Sequence, residues 1–213
     1  MPLWRNSEPT LDQGPDSLRI LMVYCHPCEE SFNAAIRDAA LSELAAAGHE
    51  TRLFDLYASG FQPVLTADER RNYHTPGDNE RGVEEHLANL RWCEGLIFVH
   101  PTWWYGPPAM LKGWLDRVWV PHATFGMPEK NKPITRVLTN IRLIAVISTL
   151  GSPKWWWWIM GAPGRRTLLT GLSVLCAPRC RTFWLGLHEM DSQSPQRRTA
   201  YLDTVRRKMR RLS

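Results

Sequence analysis

With 213 residues, 44% hydrophobic and 22% charged, the chain can build one α/β domain with a full core but not two comfortable ones, and its composition excludes wholesale disorder. The formal net charge of +5 is matched by five residues near the C-terminus, Arg206, Arg207, Lys208, Arg210 and Arg211. The remainder is therefore neutral, and the excess reads as a solvated helix face rather than a nucleic-acid surface. No run of about 18 apolar residues is present, so no membrane span is expected. Residues 1–16 carry Glu, Asp, Pro and Asn without an apolar core, which predicts a flexible leader over 1–17 and not a signal peptide. The 5 cysteines are an odd number, and a reducing cytoplasm is the default setting.

In chain order, residues 18–24 (LRILMVY) form a short continuous apolar run, the pattern of a strand buried on both faces. Residues 31–47 follow with a helical period, and Gly48 stands where a helix C-terminal glycine belongs. Residues 50–56 (ETRLFDL) read as a second strand, completing a βαβ unit. Thr66 is placed to cap a short helix, and residues 82–92 suit an amphipathic one. Residues 95–100 (GLIFVH) predict a third buried strand and residues 108–118 a helix, with prolines at its start. Residues 141–149 (IRLIAVIST) predict a fourth strand, 167–175 a helix, 181–187 a fifth strand and 194–211 a closing helix. This alternation implies a parallel sheet with helices on both faces.

Ligands of such sheets bind beyond the carboxyl ends of the strands, which directs attention to three loops. After the first strand, Ser31, Asn33 and the free amides of a helix start form an anion cradle. Simple N-capping by Ser31 accounts for the same residues equally well. There is no G-x-G-x-x-G and no Walker lysine here, so neither a dinucleotide Rossmann site nor a P-loop fits. After the third strand, Trp103, Trp104 and Tyr105 sit between Pro101 and Pro107, where they can stack on a flat ligand. After the fourth, Ser148, Thr149 and Gly151 allow close backbone approach, as does any tight turn.

Three stretches carry a resemblance: His26-Pro27 followed by Ser31-Phe32-Asn33; Asp55-Leu56-Tyr57 with Phe61 to Leu65; and PTWWYGPPAMLKGWLDRV from Pro101 to Val118. On these, over residues 18–212, the chain resembles the flavodoxin-like NAD(P)H:quinone oxidoreductases, or DT-diaphorase-like proteins. The resemblance implies a flavodoxin-like three-layer α/β sandwich with a five-stranded parallel sheet, spanning residues 18–213. It implies bound FAD or FMN, with NAD(P)H as co-substrate and a quinone or similar aromatic acceptor. His26, Ser31, Phe32 and Asn33 would hold the phosphate end. Thr102, Trp103, Trp104 and Tyr105 would flank the isoalloxazine, Ser148, Thr149, Leu150 and Gly151 would touch its far side, and Phe125 would face the substrate. A cytoplasmic homodimer is also implied.

The family's Tyr and His after the fourth strand have no counterpart in residues 153–166, so no catalytic residue is assigned. Lys154, Arg165 and Arg166 offer positive charge there. The Trp155–Trp158 run cannot face one site as a whole, and serves an interface or lid, or stacks on substrate. Two other readings stand beside the enzyme. One is a flavin-binding regulatory subunit of a potassium efflux system, since relatives include such subunits and the basic C-terminal helix offers a docking face. The other is a thiol-disulfide oxidoreductase using Cys25-His26-Pro27-Cys28, a C-x-x-C between strand and helix. Cys176 and Cys180 have the wrong spacing for a paired zinc knuckle.

Overall fold

The computed structural model describes residues 17–128 and 133–212, so the expected leader lies outside the described residues except for Ser17. Five strands pair in parallel: β1 (Arg19–Tyr24), β2 (Glu50–Asp55), β3 (Gly95–Pro101), β4 (Leu143–Thr149) and β5 (Arg181–Leu187). Their spatial order is β2-β1-β3-β4-β5. The order reverses between β1 and β3, so the chain leaves those two neighbours in opposite directions and opens a crevice at their carboxyl ends.

Alternation along each strand sorts the core into two halves. Ile20, Met22 and Tyr24 of β1, Ile97 and Val99 of β3, and Ala145 and Ile147 of β4 face α1 (Phe32–Ala46) and the C-terminal helix Pro195–Met209. Leu21, Val23, Leu96, Phe98, Ile144 and Val146 face the other way. There they meet the helices Glu84–Trp92 and Ala109–Val118, and Leu168, Leu169 and Leu172. This is the three-layer arrangement expected. Burying each such aliphatic chain stabilises the fold by about 1.5–3 kcal/mol before entropy is counted.

Local signals act as read. Ser31 accepts from the Ala34 amide, and Gly48 takes φ +83° beyond the end of α1. Thr66 and Glu69 complete a reciprocal capping box at α2 (Ala67–Asn72). The Glu84–Trp92 helix starts two residues later than the period suggested, because Gly82 takes φ +76°. Residues expected as one helix from 167 begin instead at Pro163, and Arg166–Gly171 winds as a π-helix. A two-stranded ribbon, Phe125–Gly126 with Thr135–Arg136, has no clear sequence signal. The basic tail is engaged within the chain: Arg210 makes two 3.0 Å hydrogen bonds to Glu43, Arg206 pairs with Asp203, and Lys208 lies over Phe183.

Two features of the packing carry predictions. A Cβ at Gly113 would lie 2.1 Å from the Pro63 carbonyl oxygen and 2.6 Å from its Cα. Gly113→Ala gains helix propensity of about 1 kcal/mol yet forces the backbone at residue 63 aside. A net loss of roughly 1–3 kcal/mol in urea unfolding is expected.

His100 is completely buried at the end of β3. Its Nδ1–H donates to the Pro101 carbonyl at 2.8 Å, while Nε2 is buried without a partner. Protonating Nε2 would bury a charge, so its pKa is pushed down to about 4 by burial. The unfolded chain, with the ordinary value of 6.5, takes up its proton first. Stability due to this group is therefore full above pH 6.5 and is lost as pH falls toward about 4, by roughly 3 kcal/mol. Urea titrations of His100→Phe across this range should show a correspondingly shallower fall.

Candidate active site

The crevice is organised by three hydrogen bonds that join the loops after β1, β3 and β4. Parallel pairing carries β3 and β4 to the same level, with Pro101 opposite Thr149. The Thr102 amide then donates to the Thr149 carbonyl at 2.7 Å, and the Thr102 and Ser148 hydroxyls share a 2.8 Å bond. From the other side, Asn33 in the first turn of α1 donates its Nδ2 to the Thr149 hydroxyl at 3.0 Å. Asn33 is 4% exposed, and its Oδ1 is buried with no partner. An unpaired buried acceptor at this point is costly, and marks a place where a ligand donor would fit.

The loop after β1 is fixed around the same helix start. The Tyr24 and Ser31 hydroxyls are 3.3 Å apart, and burial raises the Tyr24 pKa. His26 is partly exposed, and its Nδ1 accepts from the Cys28 amide at 3.0 Å. The Phe32 and Asn33 amides are the first of α1 and have no carbonyl one turn earlier to bond. The Phe32 ring turns away and packs on Tyr201, 6.2 Å between centroids.

After β3, Trp103 and Gly106 exchange backbone bonds of 3.0 and 2.9 Å across a two-residue turn. Trp104 and Tyr105 at its centre take φ +47° and +63°. Both left-handed values mark a type I′ turn, a conformation that favours Asn and Gly over aromatics. Trp104 is 92% exposed. Gly164 clamps the turn: its amide donates to the Tyr105 carbonyl at 2.9 Å, and a Cβ there would come within 3.2 Å of the Gly106 Cα. Trp156 Nε1 donates to the Tyr105 hydroxyl at 2.9 Å.

Residues 102–105 and 150–152 together line a 290 Å³ cleft. Its far wall rests on β5. The Leu150 amide donates to the Leu187 carbonyl, and His188 Nδ1–H donates to the Ser152 carbonyl at 3.2 Å. Burial lowers the His188 pKa, which favours the neutral ring. Helix Lys154–Ile159 projects only Trp157 inward, onto Trp184 and His188 at 5.1 and 5.5 Å. Trp155 and Trp158 stay exposed. The Arg165 guanidinium lies over Trp158 at 5.7 Å and does not line the cleft. A larger hollow of 650 Å³ beside Phe54, Phe61 and His86 takes no residue from the loops after β1, β3 or β4.

Thr102, Trp103, Trp104, Tyr105, Leu150 and Gly151 thus meet in one cleft, with Ser148 and Thr149 beneath it and Asn33 bonded to its floor. Ser31 and His26 stand behind, at the α1 start. Phe125 lies on the ribbon and does not reach the cleft of this chain. Sequence reading missed His188, Trp156 and Gly164. A histidine directly after the fifth strand was a usable signal for the first; the other two become functional only through contact with Tyr105. The C-x-x-C does not form an accessible dithiol. Cys25 is buried, and burial pushes its thiol up to about 12, whereas Cys28 is exposed.

A profile of the family described as "Flavodoxin-like fold" matches residues 18–169. The uncharacterized NAD(P)H oxidoreductase YcaK of Escherichia coli (strain K12) is 35% identical over 116 residues, covering 54% of this chain and 59% of that protein. Ribosyldihydronicotinamide dehydrogenase (quinone) of Homo sapiens is 32% identical over 126 residues, covering 52% and 54%. The chain spans about half the length of the curated relatives it matches. Among solved structures, Smu.1420 from Streptococcus mutans UA159 superposes with a TM-score of 0.78 at 28% identity, over 90% of this chain and 98% of that one.

Strain in the aromatic turn is open to measurement. A non-glycine residue in the left-handed region costs about 1 kcal/mol or more, and asparagine tolerates it best. Since the Trp104 side chain has little packing to lose, Trp104→Asn should raise unfolding stability by about 1 kcal/mol.

Proposed function

The chain belongs to the family with a flavodoxin-like fold, and on that footing we propose that it is an NAD(P)H-dependent flavoprotein reducing quinones or similar flat aromatic acceptors. The observation that carries this reading is the Asn33–Thr149 junction. It ties a helix start with free amides and an unpaired buried acceptor to the floor of the cleft that the aromatic turn lines. These parts suit the successive pieces of a flavin, whether FAD or FMN. The α1 start, with the His26 ring beside it, suits a phosphate. Asn33 Oδ1 suits a hydroxyl of the ribityl chain. The turn at Trp103–Tyr105 suits the edge and face of the ring system.

A flavin held there would supply the redox chemistry, accepting a hydride from NAD(P)H and delivering two electrons to the acceptor. The chain's own groups orient and polarise. Central amides of a two-residue turn are not used by the turn itself, so those of Trp104 and Tyr105 are available to ring heteroatoms. The Tyr105 hydroxyl accepts from Trp156 and so keeps its own proton to donate into the cleft. His188, bonded to the Ser152 carbonyl, holds the far wall in place. Exposed Trp103, Trp104, Trp155 and Trp158 flank the cleft and support assembly as a homodimer with the site at the interface. No helix among the described residues is long and apolar enough to cross a membrane. The five free thiols suit a cytoplasmic setting.

The purified protein, supplied with FMN or FAD, should show the absorption bands of oxidised flavin and lose them on adding NADH or NADPH, with a quinone restoring them. Asn33→Ala removes both the tie to Thr149 and the free acceptor, and should weaken flavin binding by about tenfold or more in fluorescence titration. A wild-type protein that takes up neither flavin would overturn the reading.

A further inference from the structure

The last residue of β1 carries a polar group into the core. Tyr24 is 1% exposed, among the aliphatic chains that face α1. The Arg37 guanidinium lies over its ring, 4.7 Å from the centroid. Arg37 is itself held by Asp38 at 2.7 Å and faces Asp55 at 3.8 Å. The Tyr24 hydroxyl lies 3.3 Å from Ser31 Oγ and has no other hydrogen-bond partner among the described residues.

These contacts identify which hydroxyl donates. A buried phenol has to place its proton, and Ser31 Oγ is the partner on offer. Burial raises the Tyr24 pKa, so that proton is retained. Ser31 Oγ also accepts from the Ala34 amide at 3.1 Å. A hydroxyl oxygen has two lone pairs, and both are then occupied. The Ser31 proton is left with no acceptor among the described residues. Ser31 is partly exposed at the start of α1, next to the free Phe32 and Asn33 amides.

We propose that Tyr24 is a positioning residue for phosphate recognition: by donating to Ser31 it turns the Ser31 hydroxyl proton outward, and so selects phosphorylated flavins over riboflavin. The inference rests on the flavin reading above. The charge distribution gives this proton its weight. Residues 25–36 contain no Lys or Arg and two glutamates, Glu29 and Glu30. Arg37, the first cation along α1, is engaged by two carboxylates. A phosphate at the α1 start is therefore met by the two amides, the Ser31 hydroxyl and the His26 ring, without a Lys or Arg from this stretch. Hydrogen bonds to a charged acceptor are among the stronger ones, and a donor aimed in advance loses less freedom on binding. Asn33, buried in the same turn with Oδ1 unpaired, independently marks this helix start as a place for a ligand.

Dissociation constants for FMN and riboflavin are measured by flavin fluorescence for the wild-type chain, Tyr24→Phe, Ser31→Gly and the double variant. Glycine at 31 keeps most of the stability of the helix cap while removing the hydroxyl. The wild-type chain is expected to prefer FMN. Tyr24→Phe removes one oxygen and keeps the ring. It should weaken FMN binding about three- to tenfold and leave riboflavin binding unchanged, which narrows the preference. In the Ser31→Gly background, Tyr24→Phe should not change the preference further, because it acts through Ser31. An unchanged preference in Tyr24→Phe, or an equal loss for both flavins, would overturn the inference and leave the flavin reading intact. So would a wild-type chain that binds FMN and riboflavin equally, whereas one that binds neither removes the reading and the inference together.

Discussion

The hydrogen bond from the Asn33 carboxamide to the Thr149 hydroxyl spans 116 positions of sequence and closes the crevice where the sheet order reverses. It is available only because β1, β3 and β4 run in parallel and end at one level, which puts the first turn of α1 within reach of the last residue of β4. The Thr102 bonds to Ser148 and Thr149 extend the same junction to the third loop. Shifting β4 by one residue would send Thr149 to the opposite face and take the junction apart. The site is thus a consequence of strand register.

Rigidity around that junction comes from close backbone contacts more than from side chains. Gly164 lets a helix start press against residues 105 and 106, and the left-handed Trp104 and Tyr105 sit in a turn whose ends are bonded to each other. A strained turn persists only where its surroundings over-determine it. Here the clamp from Gly164 and the Trp156–Tyr105 bond do so. The gain is a cleft whose aromatic wall is set in advance, so that less ordering is needed when a flat ligand enters.

The tryptophan run shows how the same residue type divides its roles. A single helical turn points four consecutive side chains in four directions, and only Trp157 meets the indole of Trp184 and the ring of His188. Trp156 uses its nitrogen on Tyr105, and Trp158 lies under Arg165. One residue stabilises the far wall, one supports the aromatic turn, and the others remain at the surface beside the cleft.

By itself the sequence determined the strands, most helix starts and the loops that form the site. Apolar runs such as residues 18–24 and 95–100, the capping oxygens of Ser31 and Thr66, and the glycine at 48 all act on neighbours within a turn or two, so their effects are readable in one dimension. The family motif placed Thr102 to Tyr105 and Ser148 to Gly151 at strand ends, and those residues do converge. Tertiary structure alone decided that Phe32 packs on Tyr201, that Phe125 stands outside the cleft and that Trp157 is the tryptophan of its run to be buried. It also decided that His188 and Gly164 join the site. Most of these contacts join elements far apart in the chain. Local pattern carries no record of such meetings, because sheet register and helix packing set them only once the whole core has formed.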